Sequence, residues 1–394
     1  MIFKYKKTLI VIGFIFILCS MFIIYNQDDV LNPKIHDFLT LSGPVKANDG
    51  HAVLYALDAP VGVDVIELGQ KRLDGFLNDS DYSIKHFEQP LAVELIDDSS
   101  CIKELERCFK EFKNGTQTFT EFGESEIELQ NRIQIIQDNM PLLNVFNASY
   151  DDPIPNYRFI LSFQNINFKR LMHLYLNGNE QQILDFLYAE IKLNRQQLSH
   201  SANLINKMIF THLIKNNIQL LQLLSFDSKY QKALPNITFK EVDMASSFSY
   251  EYRYYYNLMM DLSSGERKMG LFTDEKTIFE PLLAKGFFKK NRTLNNHFNF
   301  ITNQLWYEKE LLETFLNKDF NEFISYDLSF SNYIGDTLNA VGAPAYSEYN
   351  FKVLELSCLI SQYNKSLGHI ENKPLVSDEQ CNLISEKLNK DDKE

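Results

Sequence analysis

Glu251 and Arg253 are the charges in this chain best placed for chemistry, because they stand inside the aromatic run Phe248-Ser-Tyr-Glu-Tyr-Arg-Tyr-Tyr-Tyr256. If that run is helical the two do not face each other, since facing neighbours on a helix are three or four residues apart. Each could still project into a cleft between helices, as in an enzyme or a small-ligand binder. The plainer reading makes them two charges on the rim of an aromatic core. The tyrosines then pack inside rather than forming an exposed recognition surface.

Other chemistry-bearing residues form no constellation. The eight histidines are scattered, and no His-Glu-x-x-His spacing occurs. His200 and His212 are twelve residues apart, which is ~18 Å along a helix, too far to share a ligand. His173 and His212 read as helix-surface or satisfied core residues. The pairs Asp97-Asp98 and Asp151-Asp152 lie in loop-like stretches and read as solvated turns. There is no Gly-x-Ser-x-Gly elbow, phosphate-binding loop or dinucleotide fingerprint. The sequence therefore supports no catalytic residue, no cofactor and no metal, and points to a non-enzymatic scaffold or partner-binding role.

Four cysteines lie beyond residue 26: Cys101, Cys108, Cys358 and Cys381. An even number permits two bridges outside the cytoplasm, and proximity pairs Cys101 with Cys108 and Cys358 with Cys381. Seven residues on one helix separate Cα atoms by ~10 Å, whereas a bridge needs less than ~7 Å. The first pair therefore requires Cys101 to precede the helix that carries Cys108. Four buried thiols are the alternative.

Something must position these residues, and the composition says what. Hydrophobic residues make up 45% and charged residues 23% of 394, enough to bury a sizeable core. With 15 Gly and 11 Pro, long regular elements are favoured over a turn-dense β protein. The net charge of −13 excludes a general nucleic-acid binder, because basic residues cluster only at Lys4, Lys6 and Lys7.

Those lysines precede Thr8 to Tyr25, an uncharged run with no Pro, and Asp28 and Asp29 follow it. Eighteen residues span ~27 Å as a helix, close to the hydrocarbon thickness. The charge asymmetry puts residue 1 in the cytoplasm and the body across the membrane. A cleaved signal peptide would need a small-x-small exit, which Ile23-Ile24-Tyr25 does not provide. Lipoprotein processing at Cys19 is opposed by bulky Leu18 and by the continuing Met21-Phe22-Ile23. The expected organisation is a cytoplasmic stub at 1–7, a transmembrane anchor at 8–25 and a linker at 26–49. A helical extracytoplasmic domain over 50–385 and a charged tail at 386–394 complete it.

Within that domain the periodicity is mostly helical, so the fold class is all-α, built from antiparallel helical hairpins. Leu129, Ile133, Ile136, Met140 and Leu143 form one stripe. Tyr157 to Leu176 and Glu180 to Leu198 read as a hairpin about Asn177-Gly178-Asn179, and Ala202 to Phe226 as a central helix packed on two sides. The hairpin is tetratricopeptide-like, but no regular repeat follows. The tyrosine run fits both strand and helix periods, and Asp243 as a possible N-cap decides for helix. Leu294 to Phe315 reads as one long helix after Thr293, and Gly342-Ala-Pro344 as a break.

The order of several segments is also familiar: Asn48-Asp-Gly-His-Ala-Val-Leu-Tyr-Ala-Leu-Asp-Ala-Pro60, Cys101 with Cys108, Leu204-Ile-Asn-Lys-Met208, Arg292-Thr-Leu-Asn295 and Gly342-Ala-Pro-Ala-Tyr346. Together they resemble a group of uncharacterised, signal-anchored helical proteins of Gram-negative bacteria. The resemblance implies an inner-membrane anchor and a periplasmic body, with an envelope protein as the kind of partner to expect. It brings no activity and no catalytic residue.

Overall fold

The computed structural model describes residues 27–78, 87, 90–97, 100–119, 121–149, 152–224, 226, 229–264, 288–305, 309–317, 332, 336, 338–339, 346–369 and 374–391. The expected anchor at 8–25 and the break at Gly342-Ala-Pro344 lie outside them. Among the described residues there is no strand, and no helix is long and apolar enough to cross a membrane. The described fold is all-α. Its first helices are α1 (Lys34–Thr40), α2 (Asp49–Leu54), α3 (Val65–Asn78), α4 (Leu105–Lys113), α5 (Glu124–Asp138), α6 (Arg158–Leu176) and α7 (Glu180–Leu198). There follow α8 (Leu204–Leu223), α9 (Phe239–Val242), α10 (Ala245–Ser264), α11 (Lys290–Thr302), α12 (Lys309–Asn317), α13 (Tyr346–Ser366) and α14 (Asp378–Asp391).

Where the sequence reading has one domain over 50–385, the chain divides into two compact units. The larger comprises residues 41–251, 306–316 and 348–394; the smaller comprises 1–40, 252–305 and 317–347. The division falls within α10. The expected linker 26–49 contains α1, and the expected charged tail begins inside α14, which runs to Asp391.

In the larger unit, turn and cap chemistry sets the helix ends. Asn48 caps α2 by accepting from the His51 N–H, and the His51 ring accepts in return from the Asn48 N–H, a closed capping box. Asp64 caps α3 through the Ile66 and Glu67 N–H groups. Helices α2 and α3 then meet at Gly69, where a Cβ would lie 1.9 Å from the Ala52 carbonyl oxygen, so only glycine permits the approach. The stripe on α5 holds for Leu129, Ile133 and Ile136, all buried, but the helix stops before Met140. Pro141 disfavours helical backbone at the preceding residue, which leaves Leu143 36% exposed in a loop.

Helices α6 and α7 form the expected hairpin, with Gly178 at φ 75° just past the end of α6. Helix α8 packs against α7, α6 and α4, which explains its broad apolar arc. Cys101 lies ahead of α4, as its bridge requires, with its Cα 5.2 Å from that of Cys108. Cys358 on α13 and Cys381 on α14 have Cα atoms 5.6 Å apart. Both pairs are at disulfide distance.

In the smaller unit, Phe38 of α1 packs edge-on against Tyr252 and Phe298 at 5.9 and 5.6 Å. Asp28 caps α11 from outside, its carboxylate accepting from the Asn291 and Arg292 N–H groups at 2.8 and 3.1 Å. The long helix expected after Thr293 is two helices, α11 and α12. The first ends where Gln304 and Leu305 tighten into i→i−3 turns on the Ile301 and Thr302 carbonyls, at 3.0 and 3.2 Å.

Candidate functional site

Glu251 and Arg253 do not share a site. The Glu251 carboxylate accepts from the Leu204 N–H at 3.4 Å, at the start of α8 in the larger unit. Burial pushes its carboxyl up to about 7. Arg253 belongs to the smaller unit and donates to the Leu39 carbonyl oxygen. The tyrosines of α10 are core residues. Tyr252 is fully buried and donates to the Leu294 carbonyl at 3.0 Å, and Tyr255 donates to Asn339 Oδ1 at 2.5 Å. His297 of α11 is stacked on Tyr255 with centroids 3.9 Å apart. It is 1% exposed, has no hydrogen-bond partner for either ring nitrogen, and is pushed down to about 3 by burial. A neutral imidazole serving as one layer of an aromatic stack accounts for it.

A different cluster forms a pocket in the larger unit, with a cavity of about 300 Å³. That is the lower end of the range of small-molecule sites, about 300–1,000 Å³. Its floor is Lys207 on α8, which is 1% exposed. The Lys207 ammonium donates to the carbonyl oxygens of Leu198 and Asp243, each at 2.9 Å. These are C-terminal ends of helical backbone, the last residue of α7 and the residue after α9, where a cation is favoured. Burial lowers the Lys207 amine to about 8, although Asp243 and Glu241 pull it the other way.

One wall comes from α9. Lys240 Nζ donates to His200 Nε2 at 3.1 Å. Because an ammonium only donates, Nε2 must accept, so Nδ1 carries the ring proton and donates to the Gln196 carbonyl at 2.9 Å. Arg195 of α7 fixes this wall. It pairs with Glu241 and donates to the carbonyls of Pro235 and Asn236, so that the segment before α9 is clamped to α7. Ser246, in the first turn of α10, completes the floor, and its hydroxyl has no partner among the described residues.

The mouth is apolar. Leu41, Val45 and Leu143 line it while 49%, 38% and 36% exposed. Distant residues hold this rim. His51 Nε2 donates to the Leu143 carbonyl at 2.7 Å, and Gln197 makes two bonds to the Leu142 backbone, at 2.6 and 2.8 Å. The Val45 N–H donates to the Asn144 carbonyl at 2.8 Å, joining the two sides.

Compared with known proteins, the chain matches no family model, no curated protein and no solved structure. The site therefore rests on its geometry. Sequence reasoning passed over Lys207 and Lys240, and weighed His200 only against His212. The signal for Lys207 was present: it follows Leu204 by three and precedes Thr211 and Ile214 by four and seven, all buried, so a lysine stood on a core face.

Proposed function

We propose that this protein is a membrane-tethered binding protein of the envelope, not itself an enzyme, whose helical body takes a small ligand in the pocket over Lys207. The observation that carries the reading is the convergence of Lys207, Lys240 and Ser246 on one cavity with an apolar mouth. The reading replaces the cleft expected at Glu251 and Arg253 with one formed where α7, α8, α9 and α10 end or begin. The tether is the apolar run at 8–25 behind three lysines. An extracytoplasmic body, periplasmic in a Gram-negative cell, is supported by two cysteine pairs at disulfide distance, since such bonds persist in oxidising compartments.

Native mass spectrometry of the full chain, extracted gently from membranes, tests the reading. A small-molecule adduct that Lys240→Gln diminishes is the expected result. A bare chain accompanied by a stoichiometric envelope protein would replace it with the second reading, a docking scaffold, which the exposed Leu41, Val45 and Leu143 also favour. Alkaline phosphatase fused after Glu394 tests the topology: activity is expected, and an inactive fusion would reverse the orientation.

A further inference from the structure

We infer that the ligand of this pocket is an oxyanion on a short aliphatic chain, held by Lys207 and Ser246 at the floor, by Lys240 on the wall, and by Leu41, Val45 and Leu143 at the mouth. The inference rests on the binding reading above and adds the chemical class.

The argument is a census of what the lining has left over. On the acceptor side, the Leu198 and Asp243 carbonyls take Lys207, and one Asp243 carboxylate oxygen takes the Ala245 N–H at 2.9 Å, which leaves the other Asp243 oxygen as the one lining carboxylate oxygen without a partner among the described residues. The Asn144 side chain is closed on the Phe146 backbone in both directions. The donors are not exhausted. An ammonium has three N–H groups; Lys207 uses two on carbonyls and Lys240 one on His200. The Ser246 hydroxyl is unused among the described residues. Two ammonium groups against the single Asp243 carboxylate leave the lining net positive with N–H and O–H groups unused, which selects an acceptor-only group, and charge-assisted bonds to such a group are the stronger kind. A cation would meet the two lysines, and a neutral amide would bring donors of its own. The mouth sets the rest of the molecule, because three apolar side chains held open to solvent gain by covering a hydrocarbon segment.

Titration calorimetry on the full chain in lipid nanodiscs, with empty nanodiscs as control, tests this with hexanoate, hexanamide and acetate. Hexanoate should bind, with hexanamide at least tenfold weaker and acetate weaker as well. Lys240→Gln and Ser246→Ala should each weaken hexanoate severalfold. Leu143→Asn should weaken hexanoate while leaving acetate unchanged. Lys207 is left native because its loss would free two carbonyls and confound folding with binding. Equal binding of hexanamide and hexanoate would overturn the oxyanion assignment and leave the pocket reading standing. Hexanoate binding indifferent to Lys240→Gln and Ser246→Ala would place the anion elsewhere and overturn the assignment. Failure of all three probes on the folded chain would remove the assignment and the small-ligand reading together.

Discussion

Lys207 Nζ lies 2.9 Å from the Asp243 carbonyl oxygen, so one buried cation joins the middle of the larger unit to the start of α10 across 36 residues. The same amine also closes the end of α7 through Leu198. The lysine is therefore at once a helix-end counter-charge and the pocket floor, and these roles separate in titration. Its amine falls from 10.5 to about 8 in the folded state. Between those values the unfolded chain binds the proton and the folded chain does not, so stability rises with pH. Below pH 8 both states are protonated, and the burial cost of the charge is carried in full. Relative to Lys207→Met, the native protein should gain up to about 3 kcal/mol as pH rises from 8 to 10.5. Urea unfolding of both chains at several pH values measures this. A constant difference across the window would mean that Lys207 is not depressed.

Glu251 carries the opposite sign. Its carboxyl is raised to about 7 by burial, with only the Leu204 N–H opposing. From pH 4.5 to 7 the folded state keeps a proton that the unfolded state releases, so stability falls as pH rises through that window. Glu251→Gln keeps the acceptor for Leu204 and removes the charge. It should be near neutral at pH 4 and more stable than the native chain at pH 8, by about 2 kcal/mol once partial exposure is allowed for. Thermal melts at the two pH values test it, and equal differences at both would remove the titration of Glu251 as the cause.

Particular residues show how far the sequence could be read. Helices α6 and α7 were legible because Asn177-Gly178-Asn179 is punctuation that local chemistry enforces, and Gly178 indeed takes φ 75°. The tyrosine run was legible as helix because Asp243 accepts from the Ala245 N–H. The single helix expected over 294–315 failed because apolar spacing cannot register that Gln304 and Leu305 close turns onto the Ile301 and Thr302 carbonyls. The pocket was least legible of all. Lys207 on α8 lies far in sequence from Lys240 on α9 and Ser246 on α10, and they are gathered by Arg195 gripping the segment before α9. No local pattern encodes that kind of assembly. Glu251 and Arg253 attracted notice as charges among aromatics, and tertiary structure sends them to backbone partners in different units.

The two cysteine pairs close loops of different length, and loop-closure entropy ranks them. A loop of eight residues restricts the unfolded chain by about 2.5 kcal/mol and one of twenty-four by about 3.5 kcal/mol. Cys358→Ser with Cys381→Ser should therefore destabilise more than Cys101→Ser with Cys108→Ser. Its effect should concentrate in α14, which the bond ties to α13. Hydrogen exchange of the native chain and the two double variants, with thiol labelling of the denatured, unreduced native protein, checks both points. Four free thiols in the labelling would remove the bridges and the compartment argument built on them.

Arg132 makes the strongest claim on stability. Its side chain is 1% exposed and donates to the carbonyls of Leu57, Ala59 and Pro60 at 3.0, 2.5 and 2.9 Å, while Nε pairs with Glu128 at 2.9 Å. Arg72 approaches the same turn through the Tyr55 carbonyl and Asp58, at 2.7 and 2.6 Å. Two guanidiniums thus satisfy a run of backbone acceptors that no helix or sheet pairs. Lysine in place of Arg132 is a point charge with no planar fork and cannot reach three carbonyls at once. Arg132→Lys should cost about 3 kcal/mol or more, because it leaves buried acceptors unmet and a buried charge poorly solvated. Glu128→Gln retains an acceptor for Nε at a side chain still 24% exposed, and should cost about 1 kcal/mol or less. If Glu128→Gln proved as damaging as Arg132→Lys in urea unfolding, the ion pair rather than the carbonyl cage would be what holds the turn. The prediction is that the cage dominates, because three of the four bonds go to backbone oxygens, and of these only Pro60 keeps another donor, the Val63 N–H at 3.4 Å, when the guanidinium is lost.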